Sequence, residues 1–197
     1  MSYSIDAITA DCYEGTTCLI NKFNITDEEK LANVEAAITM AKAAALEKNP
    51  INGNFTFEHF CFIHRFLFED LYEWAGKLRE VEMSKKGTKF ARSQDLASLC
   101  YACFERLQEN NCFCGLKYSD FVENIVDFYC TLNLIHPFRE GNGRTVRIFI
   151  AQLVRHCGYE INFSEINPDE LMIATIHASN GIQQYLIDLF AAHIKIL

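Results

Sequence analysis

An all-α fold is what this sequence predicts: a bundle of amphipathic helices carrying one small β-hairpin. Three observations predict it. Apolar residues recur at helical spacing through most of the chain, capping residues bracket those runs, and a single stretch after Gly76 alternates instead. Half of the 197 residues are hydrophobic and 22% are charged, enough chain to bury a core. No repeat, low-complexity segment or linker divides it, and its three prolines sit at element ends, so residues 1–197 read as one domain.

The first helix opens on a capping box of Thr26 and Glu29, carries Leu31, Val34, Ile38, Ala41 and Ala45 inward, and stops at Asn49 and Pro50. A second runs from about Phe57 to Ala75, with Phe60, Ile63, Leu67, Leu71 and Trp74 inward and Gly76 as its cap. Val81 and Met83 then alternate with Glu80 and Glu82, and "SKKG" supplies a turn, which together predict the hairpin. In the next helix Leu96, Leu99, Cys100, Cys103, Phe104 and Leu107 share a face. Another helix runs from a Ser119 cap through Phe121, Val122, Ile125, Val126, Tyr129 and Leu132 to Ile135. "RTVRIFIAQLVRHCG" forms the helix after it, ending at Gly158. Asn167, Pro168 and Glu170 open a C-terminal helical region that breaks near Gly181.

A net charge of -8 argues against a nucleic-acid surface and leaves room only for a local anion site. The N-terminus has no basic segment followed by an apolar run, and no apolar stretch is long enough to span a bilayer, so the expected location is cytoplasmic, with no membrane partner. Leaderless secretion as an effector is compatible with the same features. Nine cysteines, an odd count, are expected to be reduced thiols, most of them in the core. Cys100, Cys103, Cys112 and Cys114 have zinc-like spacing, but the first pair falls in the apolar helical stripe, which favours packing over a metal.

The segment "HPFREGNGRTVR", residues 136–147, interrupts two good helices with dense polar chemistry. A helix starting after Gly143 presents unpaired N–H groups and a positive dipole end to the loop. Gly141, Asn142 and Gly143 can adopt restricted or positive φ values and turn successive N–H groups into a phosphate nest. Arg144 and Arg147, three apart, can reach phosphate oxygens from one side. Glu140 would repel a phosphate unless a divalent cation such as Mg²⁺ stood between them. His136 is the one residue of the set able to take a proton from a hydroxyl near neutral pH, and Phe138 is expected to point inward. A polar turn with surface arginines is the bland alternative; the joint order of base, carboxylate, glycines and arginines favours a phosphate-transfer site. His59, His64, His156, His177 and His193 carry little such signal and read as structural or surface residues.

This segment matches the signature of the Fic family, HxFx(D/E)GNGRxxR, at every fixed position. "CYEGTTCLINKFNITD", "IHRFLFEDLYEWAGKLR" and "FVENIVDFYCTLNLIHPF" also resemble the family, so the likeness covers about residues 13–190. The resemblance implies the Fic fold: helices around the motif-bearing helix-loop-helix, with a β-hairpin flap at about 79–90. It implies an enzyme that moves AMP from ATP onto a Tyr, Thr or Ser hydroxyl of a target protein, releasing pyrophosphate. His136 is then the general base, Glu140 the Mg²⁺ ligand, and Gly141, Asn142 and Gly143 the anion hole. Arg144 would hold the β-phosphate region and Arg147 the γ-phosphate. The flap resembles the family element that clamps the target backbone as an added strand. Gly143 separates the chain from the kinase-like Doc branch, which has lysine there. Other nucleotidyl transfer on this scaffold, or ATP binding without catalysis, are the alternatives.

Many Fic proteins are inhibited by a helix carrying (S/T)xxxE(G/N), whose glutamate pairs with the second signature arginine, here Arg147. "SDFVEN", Ser119 to Asn124, matches literally but lies in a core helix; "ADCYEG", residues 10–15, has Ala10 at the first position; and Gln183 stands four residues after Ser179. The resemblance therefore implies inhibition by a separate small antitoxin-like protein.

Overall fold

The computed structural model describes residues 4–5, 11–51, 53–85 and 88–197. Seven helices dominate these residues: α1 (Glu28–Lys48), α2 (Phe57–Phe68), α3 (Leu96–Glu109), α4 (Tyr118–Ile135), α5 (Asn142–His156), α6 (Pro168–Ser179) and α7 (Gln184–His193). Two small antiparallel sheets accompany them. One has the order β1 (Ser4–Ile5), β2 (Met83–Lys85), β3 (Thr88–Lys89); the other joins β4 (Tyr159–Ile161) to β5 (Ile194–Ile196).

The all-α expectation holds, and α4 and α5 form its centre. Phe121, Val122, Ile125, Val126 and Leu132 of α4 and Val146, Phe149, Ile150, Leu153 and Val154 of α5 are buried. Around them α2 covers α5, α3 and α7 cover α4, and α1 lies outside α2. The Phe149 ring meets Phe60, Phe104 and Phe128 at centroid distances of 5.5, 5.4 and 6.0 Å. Burying each such ring stabilises the fold by roughly 1.5–3 kcal/mol.

Several boundaries differ from expectation for local reasons. Asp27, not Thr26, caps α1: its carboxylate accepts from Lys30 N at 2.8 Å and leaves Thr26 outside the helix. α2 ends at Phe68 rather than Ala75, because Leu71 O accepts from Lys22 N and the next residues turn so that Tyr72 stacks on Trp74, 4.3 Å between centroids. Gly76, at φ +81°, closes that turn instead of the helix. Leu99 is 41% exposed, off the buried stripe of Leu96, Cys100, Phe104 and Leu107. Ser119 lies inside α4, whose N-cap is Lys117. Asn167 caps α6 as expected, accepting from Asp169 N and Glu170 N, with Pro168 in the first turn.

The hairpin forms with Ser84 opposite Lys89 and Lys85 opposite Thr88. The tip of the expected "SKKG" turn, Lys86 and Gly87, lies outside the described residues. A third strand was not foreseen: β1 pairs with β2, Ser4 opposite Ser84 and Ile5 opposite Met83. Nor were the short strands β4 and β5, whose partners are far apart in sequence.

The thiols depart from expectation once. Cys114 and Cys157 form a disulfide, their Cα atoms 4.9 Å apart and 43 residues apart in sequence, a separation that no local spacing reveals. Cys114 is therefore not a zinc ligand. Cys100 is fully buried and burial raises its thiol pKa, while burial pushes Cys103 up to about 12. Among the described residues no group of three or more His, Cys, Asp or Glu side chains could hold a metal ion, and no helix is long and apolar enough to cross a membrane.

Candidate active site

The loop between α4 and α5 is built by side chains that fasten its backbone. α4 stops because His136 takes a left-handed conformation, φ 51° and ψ 60°, and Pro137 after it brings no amide donor. Phe138 N–H donates to Asn142 Oδ1 at 2.8 Å, and Asn142 Nδ2 donates back to Phe138 O at 2.6 Å, so one amide side chain closes the loop on itself. Phe138 is fully buried, as expected, and stacks on His64 at 3.8 Å.

His64 does more than its reading as a structural residue suggests. Its Nδ1 accepts from Gly76 N–H at 2.8 Å, which leaves Nε2 as the N–H that meets Glu140 O at 3.0 Å. Burial pushes its pKa down to about 3, so the ring is neutral and this tautomer is fixed. A helix α2 side chain thereby pins the backbone of the carboxylate residue in the loop.

Gly141 adopts φ +78° as the N-cap of α5, and a Cβ there would sit 2.1 Å from the Phe68 ring. Only glycine fits on both counts. Asn142 and Gly143 do not have positive φ, contrary to one version of the expected nest; they are the first residues of α5 itself. The helix has no side-chain cap, so its first N–H groups face the loop with the positive end of the dipole.

His136 is 6% exposed. Its Nδ1 lies 3.3 Å from Asn133 O, a contact that requires the proton on Nδ1 and puts the basic lone pair on Nε2. The ring lies flat on Phe90, 3.8 Å away and 4° from parallel, at the base of the hairpin. Glu140 Oε1 accepts from Gly141 N–H at 2.8 Å.

The three arginines separate by role. Arg139 is buried and pairs with Asp11, tying the N-terminal segment to the loop. Arg144 turns toward α1, pairing with Glu35, donating to Thr39 Oγ1 at 3.0 Å and lying 4.8 Å over the Phe68 ring, and its Nη2 also lies 3.4 Å from Glu140 Oε1. Glu35 in turn accepts from Tyr72 OH at 2.5 Å. Arg147 folds back across Gly143, where an added Cβ would come within 3.1 Å of Nη1.

Two cavities are lined by residues of the 136–147 segment. One, of about 380 Å³, is lined by Phe90, His136, Gly143 and Arg147 and on its far side by Phe163, Ile166, Met172, Thr175 and Ile176. The other, of about 550 Å³, lies between α1 and α5 and includes Met40, Ala43, Arg144, Arg147, Ile148 and Arg155. Arg144 and Arg147 thus share only the second cavity, whereas Arg147 and Phe163 line both. Sequence spacing carried no sign of Glu35, Phe90 or the α6 wall, which arrive from elements remote in the chain.

Residues 54–154 match the Fic/DOC family. The chain is 36% identical over 166 residues to the protein adenylyltransferase VbhT of Bartonella schoenbuchensis, covering 84% of this chain and 35% of that protein. It is 34% identical over 154 residues to the probable protein adenylyltransferase Fic of Salmonella typhimurium, covering 78% of this chain and 76% of that one. The crystal structure of BepC from Bartonella tribocorum with bound AMPPNP superposes with a TM-score of 0.87 at 30% identity, covering 95% of this chain and 97% of that one. With the complete signature fastened between two helices, and likeness in both sequence and fold, the chain belongs to the Fic/DOC family.

Proposed function

We propose that the chain is a protein adenylyltransferase that transfers AMP from ATP to a Tyr, Thr or Ser hydroxyl of a target protein. The observation that carries this is that His136, Gly143 at the start of α5 and Arg147 line one cavity. In the similar BepC structure a non-hydrolysable ATP analogue is bound. In this reading the adenosine occupies the 380 Å³ cavity against Phe163, Ile166 and Met172. The triphosphate lies along the N–H groups of Asn142 and Gly143 and, once Glu140 Oε1 releases it, of Gly141, with Arg144 swung from Glu35 to the β-phosphate and Arg147 at the γ-phosphate.

His136 Nε2 takes the proton of the target hydroxyl as its oxygen attacks the α-phosphorus. The bond from that phosphorus to the β-phosphate oxygen breaks, and pyrophosphate leaves. The imidazolium keeps its Nδ1–H toward Asn133 O and its face on Phe90. Such cation–ring contact stabilises a charged ring.

Glu140 fits a Mg²⁺ ligand: Oε1 accepts from Gly141 N–H and lies 3.4 Å from Arg144 Nη2, while Oε2 has no hydrogen-bond partner among the described residues. One carboxylate suits an ion that takes its other ligands from phosphate and water. Bound there, Mg²⁺ would neutralise the triphosphate charge. Glu140 would hold it, and His64 keeps the Glu140 backbone in place.

The target docks as an added strand on β3, because β1 already occupies the β2 edge. An antitoxin-like helix fits the cavity between α1 and α5, with an acidic residue at Arg147 and small residues over Ala43 and Ile148. A peptide with that motif should inhibit transfer, and its Glu→Gly form should not.

The test is mass spectrometry of proteins from cells expressing the chain or its His136→Ala variant. Hydroxyl residues carrying AMP only with the intact histidine support the reading; the same adducts with both chains would defeat it.

A further inference from the structure

Arg79 is buried, 4% exposed, and among the described residues its guanidinium donates only to backbone carbonyls. Nε reaches His136 O at 2.8 Å, Nη1 reaches Val81 O at 2.5 Å, and Nη2 reaches Ala91 O at 2.6 Å and Ile135 O at 3.3 Å. Its own N–H donates to Pro137 O at 2.9 Å. Val81 and Ala91 are the two roots of the hairpin, and Ile135 and His136 are the end of α4.

Resting on the adenylyltransferase reading above, we infer that Arg79 is a positioning residue that holds His136 in its left-handed backbone and fastens both roots of the hairpin to it. The contrast with Arg139 supports the distinction: Arg139 is equally buried but directly paired with the Asp11 carboxylate, whereas Glu82 acts on Arg79 only through its field and no carboxylate among the described residues touches the Arg79 guanidinium. Holding a fold together does not require a buried charge, and apolar residues of similar volume often serve as well or better. What a guanidinium adds is a planar fork of donors. It addresses carbonyls of three segments at once, and the α4 carbonyls are the negative end of a helix dipole.

A second tie reaches the same residue from the same root. Phe90, next to Ala91, stacks on the imidazole, and Ala91 N–H donates to Leu134 O at 3.0 Å. A strand added at β3 therefore loads the hairpin roots that Arg79 grips, and His136 Nε2 is aimed by the segment that receives the target. Lysine, with a compact ammonium on a flexible stem, reproduces the charge but not the fork.

The experiment compares the full wild-type chain with Arg79→Lys and Arg79→Ala. It measures transfer of the label from ATP labelled at the α-phosphate onto lysate proteins as ATP is varied, with separate calorimetry of ATP binding. The expected result for Arg79→Lys is a fall in kcat of about 100-fold, the scale on which slight misplacement of a reacting group acts. Its KM and Kd for ATP should stay within about twofold, since that binding is uniform in ground and transition states. Guanidinium at millimolar concentration should restore part of the Arg79→Ala rate and none of the His136→Ala rate. Unchanged kcat in Arg79→Lys would overturn the inference, as would a parallel loss of ATP affinity and rate. If Arg79→Ala does not fold, the lysine variant alone decides between those results. Absence of transfer by the wild-type chain would overturn the adenylyltransferase reading and this inference together; transfer undiminished by Arg79→Lys overturns this inference alone.

Discussion

His64 and His136 are both buried imidazoles, and their hydrogen bonds give them opposite tasks. His64 spends both nitrogens on the backbone of Gly76 and Glu140, whereas His136 spends Nδ1 on Asn133 O and keeps its basic lone pair on Nε2. The first consequence is a pH dependence of stability. His64 has its folded pKa depressed to about 3 from an ordinary value of 6.5, so the unfolded chain binds the proton more readily. Stability from this residue is fully present above pH 6.5 and is lost as the pH falls toward 3, by at most about 1.4 kcal/mol per pH unit. Urea unfolding at pH 7 and pH 5 should show a larger drop for the wild-type chain than for His64→Gln. Gly141 gives a second expectation at this scale. Gly141→Ala combines a positive φ with a clash against Phe68 and should cost about 2–4 kcal/mol, read from the shift in denaturation midpoint. The signature made His136, Glu140 and the glycines legible in the sequence. Arg144 pairing with Glu35 was not, because the partner sits on another helix 109 residues away.

At the scale of elements, helices were legible where one face repeats and a cap stops the run, as at Asn167–Pro168 of α6. They were misread where tertiary contacts overrule the pattern. The stretch from Glu69 to Ala75 keeps apolar spacing, but Lys22 takes the Leu71 carbonyl and Tyr72 turns to Glu35 and Trp74, so α2 ends early. The hairpin was visible as alternation; β1, two residues paired at its edge, was below any local signal. With β1 on β2, β3 is the hairpin strand left at an edge of this sheet, and the proposed docking of a target strand there can be tested. Lys89→Pro removes a backbone donor there and should abolish most target labelling while ATP affinity, measured by calorimetry, stays unchanged. Loss of ATP binding to the same degree would place the effect in the nucleotide site instead.

Across the whole molecule, the packing of α5 against α2, α3 and α4 holds the start of α5 in place. Phe149 lies near its middle, fully buried among Phe60, Phe104 and Phe128. Phe149→Ala should cost about 3–5 kcal/mol of stability by chemical denaturation. That is a large part of the roughly 5–15 kcal/mol typical of a folded domain. The loop chemistry therefore depends on a core that was readable from periodicity, while the two cavities beside the loop were not, since their walls come together only in the folded chain. Transfer of AMP driven by His136 is tested most directly with ATP labelled at either the α- or the γ-phosphate. With wild-type chain, Mg²⁺ and a bacterial lysate, the α-label should enter protein and the γ-label should not, and His136→Ala should lower α-labelling by about 100-fold or more. Equal labelling by His136→Ala, or transfer of the γ-label instead, would contradict it.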